Sequence, residues 1–314
     1  EKLLVPKLRF KEFNSEYKKY KIGDTLKVKS GKDQKSIECI NGTYPILGTG
    51  GQIGTTNSFL YDKPSVLIGR KGTINKPQYM TTPFWTVDTL FYTDIKEEFN
   101  TKYIFYAFQN INWKKYDEST GVPSLSCKTI EEILYYIPNK DEQDKISTFI
   151  TLLDKKIELQ NQKIEALKIY KKGLMQKLIN SNNCEEKSIS EFGTIITGTT
   201  PSKLIQSYWH NGTIVWVTPS DITESKDIYN SHDMLTPDGL KAGRFVPAGS
   251  ILITCIASIG KNAILKVDGS CNQQINAIIP NKNFNADYLY YLFELKKDYL
   301  QSTAGTSATS IINK

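Results

Sequence analysis

"IPNKDEQDKISTFITLLDKKIELQNQKIEALKIYKKGLMQKL", residues 137–178, carries the longest regular pattern in the chain. With heptad a positions at 150, 157, 164, 171 and 178 and d positions at 153, 160, 167 and 174, seven of nine seam residues are apolar: Ile150, Leu153, Ile157, Ile164, Leu167, Leu174 and Leu178. Gln160 and Lys171 interrupt the seam as register-setting polar residues, and Lys, Glu, Gln and Asn fill the positions between. This spacing predicts a coiled-coil-forming helix of about four heptads. Pro138 bars helix before it, Asn139 can cap it, Glu142 completes a capping-box-like pair, and Asn180–Asn183 ends it. A helix over 141–179 at ~1.5 Å per residue is a rod of roughly 58 Å. Such a rod cannot bury its own stripe and needs a helix beside it. The alternative is a surface helix packed on a globular core.

On either side of this block the chain follows one plan twice. A Gly/Lys-bearing segment comes first, "YKIGDTLKVKSGK" (20–32) and "KSISEFGTIITGTTPSK" (187–203). A β-rich run ending at a glycine turn follows, "SVLIGRKGTI" (65–74) and "SILITCIASIGK" (250–261). Next is an aromatic, helix-like segment, "KYIFYAFQN" (102–110) and "DYLYYLFEL" (287–295), then a small polar loop, "STGVPSLS" (119–126) and "STAGTSATS" (302–310). The nearly constant offset points to an internal duplication. The first copy runs on into the helical block, whereas the second reaches Lys314 where its own rod would begin. A second rod is therefore expected to be absent from this sequence, leaving the first seam unpaired within it.

A length of 314 residues suits about two domains, and 39% hydrophobic content with 18 tyrosines excludes a disordered chain. The net charge of +7 points to an acidic partner, nucleic acid being the commonest; a mildly basic enzyme is the alternative. Only Arg9, Arg70 and Arg244 among 40 basic residues are arginine, which singles each out. Five scattered cysteines, Cys39, Cys127, Cys184, Cys255 and Cys271, have no C-x-x-C spacing, as expected of reduced thiols in a cytoplasmic protein without a zinc site. No apolar run spans a membrane and no signal peptide opens the chain. Residue 1 is not Met, so the extreme N-terminus is expected to be missing.

"YPILGTGGQIGTTN" (44–57) has the glycine density of a phosphate cradle. It fails as a Walker loop, because Gly54 is followed by Thr55, Thr56 and Asn57 rather than Lys-Ser/Thr. It fails as a dinucleotide fingerprint, because counting from Gly48 the sixth place is Ile53. Two accounts remain: a backbone that approaches the sugar–phosphates of DNA, or a glycine-rich turn between strands. His210 and His232 have no zinc-ligand spacing and read as loop histidines; there is no G-x-S-x-G elbow, and no catalytic or metal-binding residue is assigned.

"VPKLRFKEF" (5–13), the block at 137–178, "YPILGTGGQIG" and the duplicated plan together resemble the specificity (S) subunits of type I restriction–modification systems. The resemblance covers essentially the whole chain, and the central block is its most specific part. It implies an α+β chain of two similar mixed α/β target-recognition domains, residues 1–138 and 181–314, separated by a coiled-coil helix at 139–180. Each domain would read one part of a split site on double-stranded DNA. The helix would set their spacing and dock modification (methyltransferase) subunits, two in number, alongside restriction/translocase subunits. The S subunit would carry no catalytic site and no cofactor, with S-adenosylmethionine on the partner methyltransferase. The absent second rod is where this chain departs from the family plan.

Reading bases requires side chains that reach a groove: Arg bonds guanine, Asn and Gln bond adenine. The candidates in the first half are Arg70 and Lys71 at the "SVLIGRKG" turn, then Lys32, Gln52, Asn57 and Lys76; in the second half they are Lys203, Ser220, Arg244, Lys261 and Gln273. For each, a solvated surface residue is the competing account. Trp85, Trp113, Trp209 and Trp216 are expected in the core, although one could stack on a flipped base. Two further classes stay open: an enzyme fragment (a fused nuclease–methyltransferase or a nucleotide-dependent protein using the Gly-rich loop), and a coiled-coil scaffold carrying two unrelated domains.

Overall fold

The computed structural model describes residues 8–179, 187–256 and 258–302. The expected helix stop at 180–183, Cys184 and all but the first residue of the 302–310 loop lie outside the described residues. The chain divides into two compact units, Glu1–Asn161 and Gln162–Lys314.

In the first unit the chain forms β1 (Lys18–Lys21), α1 (Ile22–Thr25), β2 (Leu26–Lys29), β3 (Tyr44–Gly48), β4 (Gly51–Thr56), β5 (Ser65–Gly69), β6 (Gln78–Met80), β7 (Trp85–Thr86), β8 (Leu90–Ile95), α2 (Thr101–Gln109), α3 (Cys127–Glu132) and β9 (Leu134–Ile137); α4 (Lys140–Ile179) begins in this unit and, from Gln162 on, belongs to the second. The second unit holds α5 (Ile189–Phe192), β10 (Gly193–Thr197), β11 (Ile214–Val217), β12 (Asp227–Ile228), β13 (Met234–Leu235), α6 (Pro237–Ala242), β14 (Ile251–Thr254), β15 (Asn262–Leu265), β16 (Gly269–Cys271), β17 (Ile275–Pro280) and α7 (Ala286–Ser302).

The duplication read from the sequence is a duplication of topology. Each unit has an antiparallel sheet in the order β2-β8-β5-β6 or β10-β17-β14-β15, the latter extended by β12. Each also has a three-stranded sheet, β4-β3-β7 or β13-β11-β16, with one antiparallel and one parallel pairing. The central strands explain why. "SVLIG" and "ILIT" are continuous apolar runs, as a strand covered on both faces requires. Val66 and Ile68 face one core cluster while Leu67 faces another; Ile251 and Ile253 face one cluster while Leu252 faces another. Each such buried side chain contributes roughly 1.5–3 kcal/mol. Asn100 caps α2 by accepting from the Tyr103 N–H at 2.8 Å, and Asn285 does the same for the Tyr288 N–H at 3.1 Å in α7.

The predicted rod is α4, 40 residues without a break, or about 60 Å at ~1.5 Å per residue. Asn139 caps it, accepting from the Glu142 N–H at 3.0 Å. The expected return half of the capping box is not made. Glu142 is fully buried and takes the Arg9 guanidinium instead, through Nε at 2.9 Å and Nη2 at 2.5 Å. A charge–charge pair in a buried setting outcompetes a single backbone N–H for the carboxylate.

Candidate nucleic-acid interface

Each unit fastens the connection between its two sheets by the same device. Just past β2 comes Gly31, where a Cβ would sit 2.0 Å from the Val87 carbonyl oxygen; just past β10 comes Gly198, where a Cβ would sit 2.1 Å from that of Asn272. The next N–H then donates across: Lys32 to Thr86 O at 2.9 Å, Thr199 to Cys271 O at 2.8 Å. The carbonyl of that same residue accepts an indole N–H, from Trp85 to Lys32 O and from Trp216 to Thr199 O, both at 3.0 Å. The far end of each connection is an Asn-Gly-Thr. Asn41 (φ 61°) and Asn211 (φ 56°) are the non-glycine residues of positive φ among the described residues, a conformation that asparagine tolerates better than most residues.

In the first unit, the glycine-rich stretch is the β3–β4 hairpin, closed by Thr49-Gly50 with Gly51 at φ 114°. A strand rather than a helix follows the turn, so no phosphate-binding helix terminus is formed. Gln78 Nε2 donates to Gly48 O at 2.8 Å, and Thr49 Oγ1 lies 3.8 Å from where a Cβ of Gly72 would be. The hairpin tip thus abuts the β5–β6 turn that carries Arg70, Lys71 and Lys76. The "STGVPSLS" loop joins the same place: Gly72 N–H donates to Pro123 O at 2.8 Å and Leu125 N–H to Arg70 O at 2.9 Å. Asp117 Oδ1 holds that loop by accepting from the N–H groups of Ser119 and Ser124. These bonds, that from Ser124 foremost, keep its carboxyl below the usual carboxylate range. An open cleft of ≈ 590 Å³ results, lined by Ser30, Arg70, Lys71, Asp88, Glu118 and Ser126 among others. Arg70 is exposed and aimed by one bond, Nη1 to Asp88 O at 3.3 Å. Cys127 also lines the cleft, but burial pushes its thiol pKa up, against service as a thiolate.

The other candidates of this unit stand around that end or along the hairpin. Lys32 is exposed at the fastened corner and Lys76 in the β5–β6 turn. Gln52 turns back to Gly54 O at 3.2 Å, and Asn57 Oδ1 accepts from the Thr43 N–H at 3.1 Å.

In the second unit, Arg244 is exposed with Nη1 bonded to Thr197 O at 2.7 Å, one residue before Gly198. Gln273 accepts from Thr200 Oγ1, and Ser220 Oγ meets Thr218 Oγ1 at 2.7 Å. Lys203 is held more firmly than expected of a groove reader. Its Nζ lies 2.6 Å from Asp233 Oδ2 and 3.6 Å above the centre of the Trp209 ring. That bond, with a smaller one from His232, holds the Asp233 carboxyl below the usual range. Lys261 stands in the β14–β15 turn, whose Gly260 abuts Lys297 of α7. Of the tryptophans expected in the core, Trp113 and Trp216 are buried, whereas Trp85 and Trp209 are half-buried, with their indole N–H groups bonded to Lys32 O and Ser202 O.

Ile150 of the predicted seam packs on the first unit's core rather than standing free. Beyond it the seam is in solvent: Ile157 is 60% exposed, Ile164 48% and Leu178 77%, with Leu153, Leu167 and Leu174 also exposed. Lys171 lies 5.5 Å from the centre of the Tyr291 ring.

Sequence reasoning named Arg70 and Arg244 but missed the indole bonds and the paired asparagines. A signal for the latter was present, the repeated "NGT" at 41–43 and 211–213. Guanidinium, ammonium and amide donors beside a few carboxylates suit a polyanion that also offers hydrogen-bonding edges. Among the described residues no group of three or more His, Cys, Asp or Glu is placed to hold a metal ion. No helix among them is long and apolar enough to cross a membrane.

The type I restriction modification DNA specificity domain family matches residues 14–168 and, a second time, residues 181–314. The chain belongs to that family. It is similar to the type I restriction enzyme MjaIX specificity subunit of Methanocaldococcus jannaschii, 39% identical over 127 residues, which is 38% of this chain and 29% of that protein. It is also similar to the EcoR124I/EcoR124II specificity subunit of Escherichia coli, 32% identical over 139 residues, or 41% of this chain and 34% of that one. The chain thus matches about a third of the length of these curated relatives. In fold it resembles the crystal structure of a type I restriction–modification S subunit from M. genitalium, with a TM-score of 0.63 at 15% identity, over 93% of this chain and 80% of that one.

Proposed function

We propose that the chain is the DNA-reading subunit of a type I restriction–modification complex. Each unit reads one half of a bipartite duplex site, with domains at 1–138 and 181–314 and the helix at 139–180 between them. One observation carries this most: the same two-sheet plan occurs twice, and each copy sets an exposed arginine beside the same fastened corner. Two readers alike in backbone and unlike in side chains are what two different half-sites demand. Arg70 and Arg244 would bond guanine edges and Gln52, Asn57 and Gln273 adenine edges. Lys32, Lys71, Lys76, Lys261 and Ser220 would position the duplex through its phosphates, while Lys203 acts mainly by holding its loop.

The chain itself is non-catalytic in this reading. The exposed face of α4 takes the modification subunits, two per complex, which bring S-adenosylmethionine; restriction/translocase subunits join them, in the cytoplasm. The test is to exchange residues 1–138 for the first domain of another family member and map methylated bases in a genome carrying the complex. One half-site should change and the other stay. A hybrid that methylates both original half-sites would falsify the modular reading.

A further inference from the structure

The connections fastened by glycine, indole and asparagine share one more property. Each carries an aliphatic side chain left almost wholly in water: Ile40 and Leu204 are both 93% exposed, more than any other large hydrophobic residue described. Ile40 directly precedes Asn41; Leu204 follows Lys203 and comes seven residues before Asn211. A single exposed aliphatic residue is ordinary on a protein surface. Two of them, on equivalent loops of duplicated units, each loop anchored at both ends, are not explained by folding, because neither buries anything in its own unit.

We propose that Ile40 and Leu204 are the apolar contacts that the two units make with the bases of the duplex, resting on the DNA-reading role proposed above. A branched aliphatic side chain can press on a thymine methyl group or wedge into a base step. The surroundings fit a nucleic-acid partner rather than an apolar protein surface. Arg244 is bonded beside the corner from which the Leu204 loop springs, and the Ile40 loop itself carries the exposed Lys32 and Lys35. Anchoring both loop ends lets a short side chain be driven against a base without the loop folding away.

The experiment uses the complete complex with its modification subunits and a duplex bearing the mapped site, with binding measured across a salt series. Ile40→Ser and Leu204→Ser should each weaken cognate binding roughly tenfold or more. The slope of log affinity against log salt should stay as in the parent, and so should binding to unrelated duplex. Lys32→Ala serves as the contrast, because losing a phosphate contact lowers that slope by about 1. Both serine variants should melt at the parent temperature, since the replaced side chains are in water. Unchanged cognate affinity, or a slope that falls as for a lost phosphate contact, overturns the proposal. If the parent complex itself shows no preference for the mapped duplex, the DNA-reading role fails first and is identified as the cause.

Discussion

Trp85 and Trp216 donate to equivalent carbonyls from opposite members of one cross-strand pair. Trp85 lies on β7 opposite Ile46, whereas Trp216 lies on β11 opposite Ser270. Thr86 and Cys271 accept from the equivalent N–H in the two units, which places Trp85 at the site of Ser270 and Trp216 at that of Ile46. The hydrogen bond is common to both units; the residue position is not. Trp85→Phe and Trp216→Phe should each cost about 1 kcal/mol in denaturant unfolding. Each should also weaken methylation through one half-site only, the one read by its own unit. Equal loss at both half-sites from either change would contradict independent corners.

Replacing Ile157 and Ile164 together with Asp should leave both units folded, because these side chains are exposed within the chain. Circular dichroism and DNA binding by the purified chain should persist. Co-purification of the modification subunit should be lost, and full recovery of it in a pull-down would show that α4 docks by another face.

Arg9 and Glu142 form an ion pair in which the carboxylate is fully buried, with Tyr17 OH also bonded to it at 3.3 Å. Arg9→Met strands a buried charge and should lower the melting temperature by several degrees. Adding Glu142→Leu should recover most of the loss, since an apolar pair of similar volume is often neutral there. A double variant as unstable as the single one would mean that the pair acts through something other than charge.

Asp94 ties β8 to β2 through Lys29 Nζ at 2.8 Å and accepts from Tyr61 OH at 2.8 Å. The Lys29 bond first, then the Tyr61 bond, hold its pKa below the ordinary aspartate value. A depressed folded pKa gives stability that is complete above the unfolded value and disappears as pH falls through the folded one. The contribution should therefore vanish from about pH 4 downward. Asp94→Asn should flatten the acid limb of the stability–pH curve while leaving its slope near neutrality unchanged. An identical acid limb in both proteins would remove Asp94 from the account.

Features written in local periodicity were legible in the sequence. The heptads gave α4, the runs at 65–69 and 251–254 gave the central strands, and the twofold occurrence of four segments gave the duplicated topology. Features that depend on distant partners were not. Glu142 was assigned to a local cap because nothing nearby announces Arg9, 133 residues away in sequence. Lys203 looked free because its captors, Asp233 and Trp209, meet it only in the folded unit. The indole bonds are not legible in the repeat because the two tryptophans occupy non-equivalent positions.

The bare flank of α4 also bears on handling. A stripe of Leu153, Ile157, Ile164, Leu167, Leu174 and Leu178 in contact with water is a surface on which like molecules collect. Produced alone, the polypeptide should aggregate as its concentration rises, and co-expression with the modification subunit proposed to dock on this stripe should restore solubility.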